Sequence, residues 1–464
     1  MATARRALLV GLSVLILLHK NNISSVLQIG SLTSTVVVYS RSQPPASKEN
    51  GEIRGTAIES KSCVDRRGSS GRWVQDWSYA NRTSYPNHGS YTNWHVAEQN
   101  FTPTTSQPHR LATSYRWIDD DEDCPVSEVN LSRFCDACYD LGISQILILG
   151  DCLSTEFAKS LQSLLGFPPM GIRATEFKMG FKPWGMDCPS EPGRSHMHKI
   201  TFQVMRYSPF KNWKWLGNEA RARTGNARNF INGSSNRTAI VANLGVWMRT
   251  EEEYQRGFTY FIEWLDSLED PGKVIAFWRP TVPGHTDCLP GGGKGGIEKY
   301  NWINPVLQKP HASYSEYQRA QDVLLHDENA TGFGYRWELI EGWNDWSYQK
   351  LQQYHSGQWP HNHTTADEFV VGSKRSKTNS TYSINRTNGN DSLLGQMIGN
   401  NRRKKIHWLN ILPSSLLRRD GHIGFGDCLH YYLPGPIDFW SHFFHSALLD
   451  LAASDTNTTG GVDL

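Results

Sequence analysis

From residue 143 to residue 149 the chain reads Ile-Ser-Gln-Ile-Leu-Ile-Leu, and the turn that follows reads Gly150-Asp151-Cys152-Leu153-Ser154. A short apolar run that ends in a glycine turn is typical of a strand buried in a parallel sheet. From Ser154 to Leu165 the apolar side chains recur at helical spacing. Cys152 is therefore predicted to lie on a strand-to-helix turn at the carboxyl edge of a sheet, where open α/β folds build their sites.

The segments that follow alternate between strand and helix patterns. Strands are predicted at 199–205, 238–244 and 273–278, and a helix is predicted at 251–268. Short apolar strands separated by helices form mostly parallel sheets that are covered on both faces. The predicted fold class is therefore α/β, with the three layers of an α/β/α sandwich.

A second group with catalytic potential lies near the C-terminus, where Asp427-Cys428-Leu429-His430 precedes Leu433-Pro434-Gly435. Asp427 and His430 are three positions apart, so in a helical turn both would project the same way. The carboxylate would then fix the imidazole tautomer, and the other ring nitrogen would take the proton of a nucleophile at Cys152. The alternative for such a spacing is an ion pair on the surface.

The turn at Cys152 also carries a prediction about charge. The N-terminus of the following helix directs backbone N–H groups toward a developing oxyanion. The same field is expected to lower the pKa of the Cys152 thiol.

The overall charge excludes some functions. The 464 residues carry a net charge of +2, so no global field favours nucleic acid or a membrane surface as the partner. The histidines are scattered along the chain, so the sequence predicts no metal site and no cofactor.

The chain divides by composition into several segments. Residues 1–18 combine two arginines with a short apolar run and are predicted to be a signal peptide or an uncleaved signal anchor. Residues 19–62 read as a polar stem, and residues 63–140 as a loop-rich N-terminal lobe. The catalytic domain is predicted at 141–453, with a glycosylated insertion near 354–402.

Twelve glycosylation sequons predict entry into the secretory lumen. They start at Asn22, Asn81, Asn100, Asn130, Asn232, Asn236, Asn329, Asn362, Asn379, Asn385, Asn390 and Asn457.

In that oxidising space most of the eight cysteines are expected to pair. Cys135 and Cys138 form a lone CxxC motif, for which disulfide or plain structural use is favoured. If Cys152 is a free thiol, seven cysteines remain and at least one more is unpaired. This parity argues against a reactive Cys152.

The ordered motifs of the chain resemble those of PC-esterase proteins of the SGNH group, and within them the trichome birefringence-like polysaccharide O-acetyltransferases. The resemblance covers roughly residues 63–450. The matching blocks, in chain order, are Gly71-Arg72-Trp73-Val74, Tyr115-Arg116-Trp117, Gly150-Asp151-Cys152, Asn243-Leu244-Gly245-Val246-Trp247, Trp278-Arg279-Pro280 through Gly284-His285, Asp420-Gly421-His422 and Asp427-Cys428-Leu429-His430.

The resemblance implies an SGNH-like sandwich with the N-terminal lobe beside the site, and acetyl transfer to hydroxyls of a secreted or cell-wall polysaccharide. It implies a Golgi lumenal enzyme, held by its N-terminal anchor if that segment is uncleaved, or else secreted. Asp427 would orient His430, the general base, and Asn243 would donate a hydrogen bond to the oxyanion. Gly150 and Asp151 would form the elbow. The polysaccharide acceptor is the expected partner, and the acyl donor is unidentified.

The chain departs from the family at the nucleophile, because Cys152 stands where the family has serine. Cys152 would be a nucleophile that forms a thioester, or a disulfide-bonded or inert thiol in a silent glycan-binding relative. A third alternative is that Ser154 replaces it, although a hydroxyl two residues further on would point elsewhere. With water as the acceptor, the same machinery would be an acetyl esterase. His285 and His422 are expected to be loop-packing or hydrogen-bonding residues rather than second bases.

Overall fold

The computed structural model describes residues 62–82, 111–167, 183–189, 198–206, 217–285, 309–325, 336–359, 405–424, 427–431, 433 and 435–459. All of them belong to one compact unit of the chain. The predicted signal segment, the stem apart from its last residue, and nearly all of the glycosylated insertion lie outside these residues. Among the helices in the described ranges, none combines the length and the apolar character that a membrane crossing needs.

The described elements are ten strands, ten α-helices and three short 3₁₀ turns. The strands are β1 Gly71–Gln75, β2 Tyr115–Asp119, β3 Ile143–Gly150, β4 Trp184–Asp187, β5 Lys199–Arg206, β6 Arg237–Ala242, β7 Val274–Trp278, β8 Ile406–Trp408, β9 His422–Gly424 and β10 Asp427–Tyr431. The helices are α1 Cys63–Arg66, α2 Trp77–Arg82, α3 Leu131–Asp140, α4 Cys152–Leu164, α5 Gly217–Asn232, α6 Glu251–Asp266, α7 Tyr314–Leu325, α8 Trp337–His355, α9 Leu412–Leu416 and α10 Pro436–Thr459. The 3₁₀ turns are Leu111–Ser114, Pro271–Lys273 and Arg419–Gly421.

The main sheet has six strands in the order β4-β5-β3-β6-β7-β8. All neighbours in it run parallel except β4, which pairs antiparallel with β5 at one edge. From β3 the chain passes to β5 on one side and then returns to β6 on the other. Because a ligand crevice forms where the strand order reverses, the carboxyl end of β3 lies at the topological switch point.

Helices cover both faces of the sheet, which confirms the predicted α/β/α sandwich. Since crossovers between parallel strands are right-handed, the opposite directions of β3→β5 and β6→β7 place α4 and α6 on opposite faces. Helix α10 packs against α3 and α4, whereas α6 packs against α8. Five of the eight β3 residues are apolar and at most 1% exposed, as expected of a strand covered on both sides. They are Ile143, Ile146, Leu147, Ile148 and Leu149.

The N-terminal lobe shares the hydrophobic core of the sandwich and also contacts it through polar groups. Strands β1 and β2 form an antiparallel pair. The indole Nε1 of Trp73 donates to the carbonyl oxygen of Ser414 at 2.8 Å, and Arg67 forms an ion pair with Asp450 of α10 at 2.7 Å. The lobe thus lies against the same helix, α10, that covers the face of the sheet carrying α4.

Several elements differ from their sequence predictions. Helix α4 begins at Cys152 rather than at Ser154, because the Asp151 carboxylate accepts a hydrogen bond from the backbone N–H of Ser154 and so caps the helix two residues earlier. Strand β6 ends at Ala242, which places Asn243 just beyond the strand. The 24-residue helix α10 was not predicted, because its apolar residues lie all around the helix rather than on one face.

Candidate functional site

Cys152 is the first residue of α4, and one residue, Asp151, separates it from the carboxyl end of β3. Its thiol is free of disulfide bonding and only 3% exposed. The turn therefore places a sulfur atom at the N-terminus of a 13-residue helix, where the positive end of the helix dipole lies.

The fold brings His430 to this thiol from 278 positions further along the chain. The His430 imidazole is a hydrogen-bond partner of Cys152. It belongs to β10, which pairs antiparallel with β9 in a separate two-stranded sheet. Two of the three residues that the sequence proposed as catalytic thus meet in the described structure.

The local structure around Asp427 corrects one premise of the sequence prediction. Residues 427–431 form a strand, not a helical turn. In a regular strand, side chains three apart project to opposite faces, although the register of the β9–β10 pair shifts between Asp427 and Tyr431 and bulges of this kind re-aim side chains. The Asp427 side chain lies outside the described residues, so its role in orienting His430 stays a prediction.

The pKa of the Cys152 thiol is raised above its ordinary value, chiefly because the sulfur is buried. The hydrogen bond with His430 and the charge of that imidazole lower the pKa, whereas the nearby carboxylates of Asp151 and Glu156 raise it. The lowered pKa that the sequence analysis expects is therefore wrong in direction, and burial is the largest cause of the shift that the structure gives. The resting thiol is therefore neutral near pH 7, and His430 must remove its proton.

A network of buried polar groups holds the turn before Cys152. The Asp151 carboxylate accepts from the backbone N–H of Ser154 at 3.1 Å, from Asn243 Nδ2 at 3.1 Å and from Arg279 Nη2 at 3.2 Å. These groups connect the ends of β3, β6 and β7. They fix the turn in one conformation, because each of them is at most 1% exposed and has no water to bond instead.

Two glycines allow these strand ends to approach closely. A Cβ atom at Gly150 would lie 1.7 Å from Asn243 Oδ1, and one at Gly245 would lie 2.4 Å from the Cβ of Asp151. Gly245 also has a φ of +87°, which favours glycine. Both positions therefore require a residue without a side chain.

The Asn243 and Ser154 side chains are directed into this network. Asn243 Nδ2 donates to Asp151, and its Oδ1 accepts from Ser154 Oγ at 2.9 Å. Ser154 Oγ in turn accepts from Arg279 Nη2 at 2.9 Å. In the resting structure Asn243 supports the elbow, and its part in oxyanion binding stays a prediction. The Ser154 hydroxyl is used to hold the turn, which argues against Ser154 as a substitute nucleophile.

Two charged residues at the site are absent from the candidate site residues of the sequence analysis, although Arg279 lies in one of its motif blocks. Arg279 follows β7 in the same way as Asn243 follows β6, a position that could have identified it. Glu156 lies one helical turn after Cys152 and is 3% exposed. Its Oε2 accepts from the backbone N–H of Tyr431 at 3.2 Å, which ties the strand carrying His430 to the helix carrying Cys152.

A chain of hydrogen bonds supports the other side of that strand. His422 Nδ1 lies 3.1 Å from the carbonyl oxygen of His430, and His422 Nε2 lies 2.6 Å from His285 Nδ1. His285 Nε2 lies 2.7 Å from the carbonyl oxygen of Leu416. These contacts agree with the expectation that both histidines are hydrogen-bonding residues.

The cysteine pairing resolves the parity argument. Disulfides join Cys63 to Cys124 and Cys135 to Cys188, and Cys428 is also disulfide-bonded. In the described part of the chain the free thiols are those of Cys152 and Cys138, and both are buried. Cys138 is thus the second unpaired cysteine. Within the same ranges, no group of three or more His, Cys, Asp or Glu side chains is arranged to hold a metal ion.

Comparison with known proteins gives one short likeness. No family model matches the chain. Over 64 residues the chain is 38% identical to xyloglucan O-acetyltransferase 3 of Populus trichocarpa, a segment that covers 12% of this chain and 16% of that protein. At this coarse level the likeness agrees with the motif resemblance to polysaccharide O-acetyltransferases and with a location in the secretory pathway.

Proposed function

We propose that this protein transfers an acetyl group to hydroxyls of a secreted or cell-wall polysaccharide through a thioester on Cys152. The observation that carries the proposal is the hydrogen bond between the free Cys152 thiol and His430, at the start of a helix and at the switch point of the sheet. The short likeness to a xyloglucan O-acetyltransferase supports the class of reaction and of acceptor.

In the first half-reaction, His430 removes the thiol proton as the sulfur attacks the carbonyl carbon of an acetyl ester or thioester donor. The tetrahedral intermediate carries its negative charge on the former carbonyl oxygen. Backbone N–H groups in the first turn of α4 have no partner within the helix and are the natural donors to that oxygen. As the intermediate collapses, the leaving group takes the proton from His430, and acetyl-Cys152 remains.

In the second half-reaction, a sugar hydroxyl gives its proton to His430 and attacks the thioester carbonyl. The carbon–sulfur bond then breaks, the proton returns to the sulfur, and an O-acetyl ester is released. If water takes the place of the sugar hydroxyl, the same steps make acetate. Transfer therefore depends on the acceptor excluding water from the thioester.

The raised pKa of Cys152 defines how the first step works. A thiol whose pKa lies above the ordinary value of 9.0 is less than about 1% ionised at pH 7. The reaction therefore relies on proton removal by His430 during attack, rather than on a standing thiolate–imidazolium pair. Asp427 is proposed to orient His430 for this task, and Asn243 to assist the oxyanion.

The disulfides and the sequons support the cellular compartment that we propose. The Cys63–Cys124 and Cys135–Cys188 disulfides persist in oxidising spaces and not in the cytosol. Together with the twelve sequons, they support a lumenal protein of the secretory pathway. Within that pathway we propose the Golgi, with residues 1–18 anchoring the protein to the membrane if they are retained.

The test is acetylation of purified cell-wall polysaccharides, including xyloglucan, with the full chain and an acetyl ester donor. Product esters are counted by mass spectrometry of the polysaccharide fragments. We expect the unmodified protein and Cys138→Ala to acetylate the acceptor, and Cys152→Ala and His430→Asn to lose the activity. Cys138→Ala is the matched control because it removes the other buried free thiol. Unchanged acetylation by Cys152→Ala would overturn the thioester mechanism, and release of acetate alone would identify an esterase.

A further inference from the structure

The turn that presents Cys152 contains a negative charge in an unfavourable place. Asp151 immediately precedes the nucleophile and is 1% exposed, so its charge is weakly screened by solvent. Its carboxylate raises the pKa of the Cys152 thiol. The fold nevertheless uses this carboxylate, because it caps α4 and holds Asn243. An acidic elbow therefore opposes the thiolate that acyl transfer has to form.

Arg279 is placed to counter that charge. It is 1% exposed, and its guanidinium reaches from the end of β7 to Asp151 and Ser154. The guanidinium also lies over the ring of Trp440, with 4.8 Å between Cζ and the ring centroid. Burial lowers the pKa of Arg279, and the charges of Asp151 and of the Cys152 thiolate raise it, which means that sulfur and guanidinium attract each other.

The hydrogen bonds of Arg279 use only one of its two terminal guanidinium nitrogens. Both described bonds to Asp151 and Ser154 are made by Nη2, and Nη1 is buried with no hydrogen-bond partner within the described structure. A buried guanidinium nitrogen without a partner is unfavourable in a resting protein and indicates a group that acts when new negative charge forms nearby.

We propose that Arg279 is a positioning residue whose buried charge offsets that of Asp151, so that negative charge can develop on the Cys152 sulfur. The inference rests on the proposed acyl transfer and names a residue that serves both of its half-reactions. The sulfur becomes negative when His430 takes its proton and again when the carbon–sulfur bond breaks. In both moments the thiolate forms beside a neutral ion pair instead of beside a lone carboxylate.

The experiment measures the pH at which the Cys152 thiol ionises, in the full chain carrying Cys138→Ala. The rate at which iodoacetamide alkylates Cys152 is followed by peptide mass spectrometry across a series of pH values, since only the thiolate reacts. The variants are Arg279→Gln, Arg279→Lys and Asp151→Asn, and circular dichroism checks that each is folded.

For Arg279→Gln we expect the midpoint to rise by about one pH unit, which lowers the alkylation rate near neutral pH about tenfold. For Asp151→Asn the midpoint should fall, because the carboxylate that raises the pKa of the Cys152 thiol is removed while the guanidinium stays. Arg279→Lys keeps the charge and should restore most of the rate. Damage to the turn alone would move Arg279→Gln and Asp151→Asn in the same direction.

An unchanged midpoint in Arg279→Gln, or a rise in Asp151→Asn, would overturn the proposal. If Arg279→Gln does not fold, the double variant Arg279→Gln with Asp151→Asn, which leaves neither charge buried alone, decides the proposal: its midpoint must lie above that of Asp151→Asn. The alkylation rate does not require acetyl transfer. A shifted midpoint in a protein that acetylates nothing would therefore refute the proposed function and leave the charge compensation standing.

Discussion

Replacing Gly150 by alanine tests how tightly the elbow is packed. The added Cβ would lie 1.7 Å from Asn243 Oδ1 and 2.4 Å from Ser154 Oγ, whereas real Cβ contacts are longer than 3.0 Å. Asn243 must therefore move by more than an ångström, which breaks its bonds to Asp151 and to Ser154.

The magnitude follows from these contacts. Two lost buried hydrogen bonds are worth about 1–1.5 kcal/mol each, and overpacking adds about 1–3 kcal/mol. The smaller conformational freedom of alanine in the unfolded chain returns about 0.4–1 kcal/mol. We therefore expect Gly150→Ala to lower the free energy of unfolding by about 2–5 kcal/mol. Because Cys152 is carried on the same turn, acetyl transfer should fall as well.

The matched control is Gly342→Ala in α8. This glycine lies inside a helix, and a Cβ there would meet no atom within 4 Å. The same chemical change should stabilise the protein by about 0.5–1 kcal/mol. Urea unfolding with an unchanged m-value measures both differences. A Gly150→Ala protein as stable as the unmodified one would refute the close packing at the elbow.

Three further outcomes are expected. Burial lowers the pKa of His442 to about 3, below the ordinary 6.5. The contribution of the neutral imidazole to the free energy of unfolding is therefore complete above pH 6.5 and is lost as the pH falls toward 3, by up to about 5 kcal/mol. The urea midpoint of His442→Gln should depend less on pH than that of the unmodified protein, and an equal dependence would contradict this. The Cys63–Cys124 disulfide joins residues 61 positions apart, so replacing both cysteines with alanine should lower the free energy of unfolding by about 4 kcal/mol. Thermal or urea unfolding measures this, and a loss below about 1 kcal/mol would contradict the prediction. Asn130 is exposed and caps α3 through Oδ1, which leaves Nδ2 for a glycan; peptide mass spectrometry after deglycosylation should find this sequon modified, and an unmodified Asn130 in secreted protein would contradict it.

The elements that position Cys152 could be predicted because their signals are local. The apolar run before Gly150 has the length and composition of a buried strand, and the residues after Cys152 have helical spacing. The parallel sheet followed from repetition of that pattern. The sequence places the start of α4 two residues late, because its apolar spacing becomes visible only after Ser154. The true start depends on the Asp151 cap, which rests on one hydrogen bond from the backbone N–H of Ser154.

The charge balance of the site could not be read from the sequence. The ion pair of Asp151 with Arg279 joins residues 128 positions apart, and neither has a local pattern that identifies its partner. The pKa of Cys152 is raised rather than lowered, and the largest cause of that shift is burial, which only the fold shows. The spacing of Asp427 and His430 indicated a helical turn, but pairing with β9 makes the segment a strand.

The central claim is that Cys152 accepts the acetyl group with His430 as its base. The direct measurement is to mix the full chain with 4-nitrophenyl acetate, quench it in acid and locate the acetyl group by peptide mass spectrometry. The account predicts one acetyl group on Cys152 that hydroxylamine removes, and its absence in His430→Asn. An acetyl group on Ser154 with Cys152 unmodified, or no acetylation of either residue, would contradict the account.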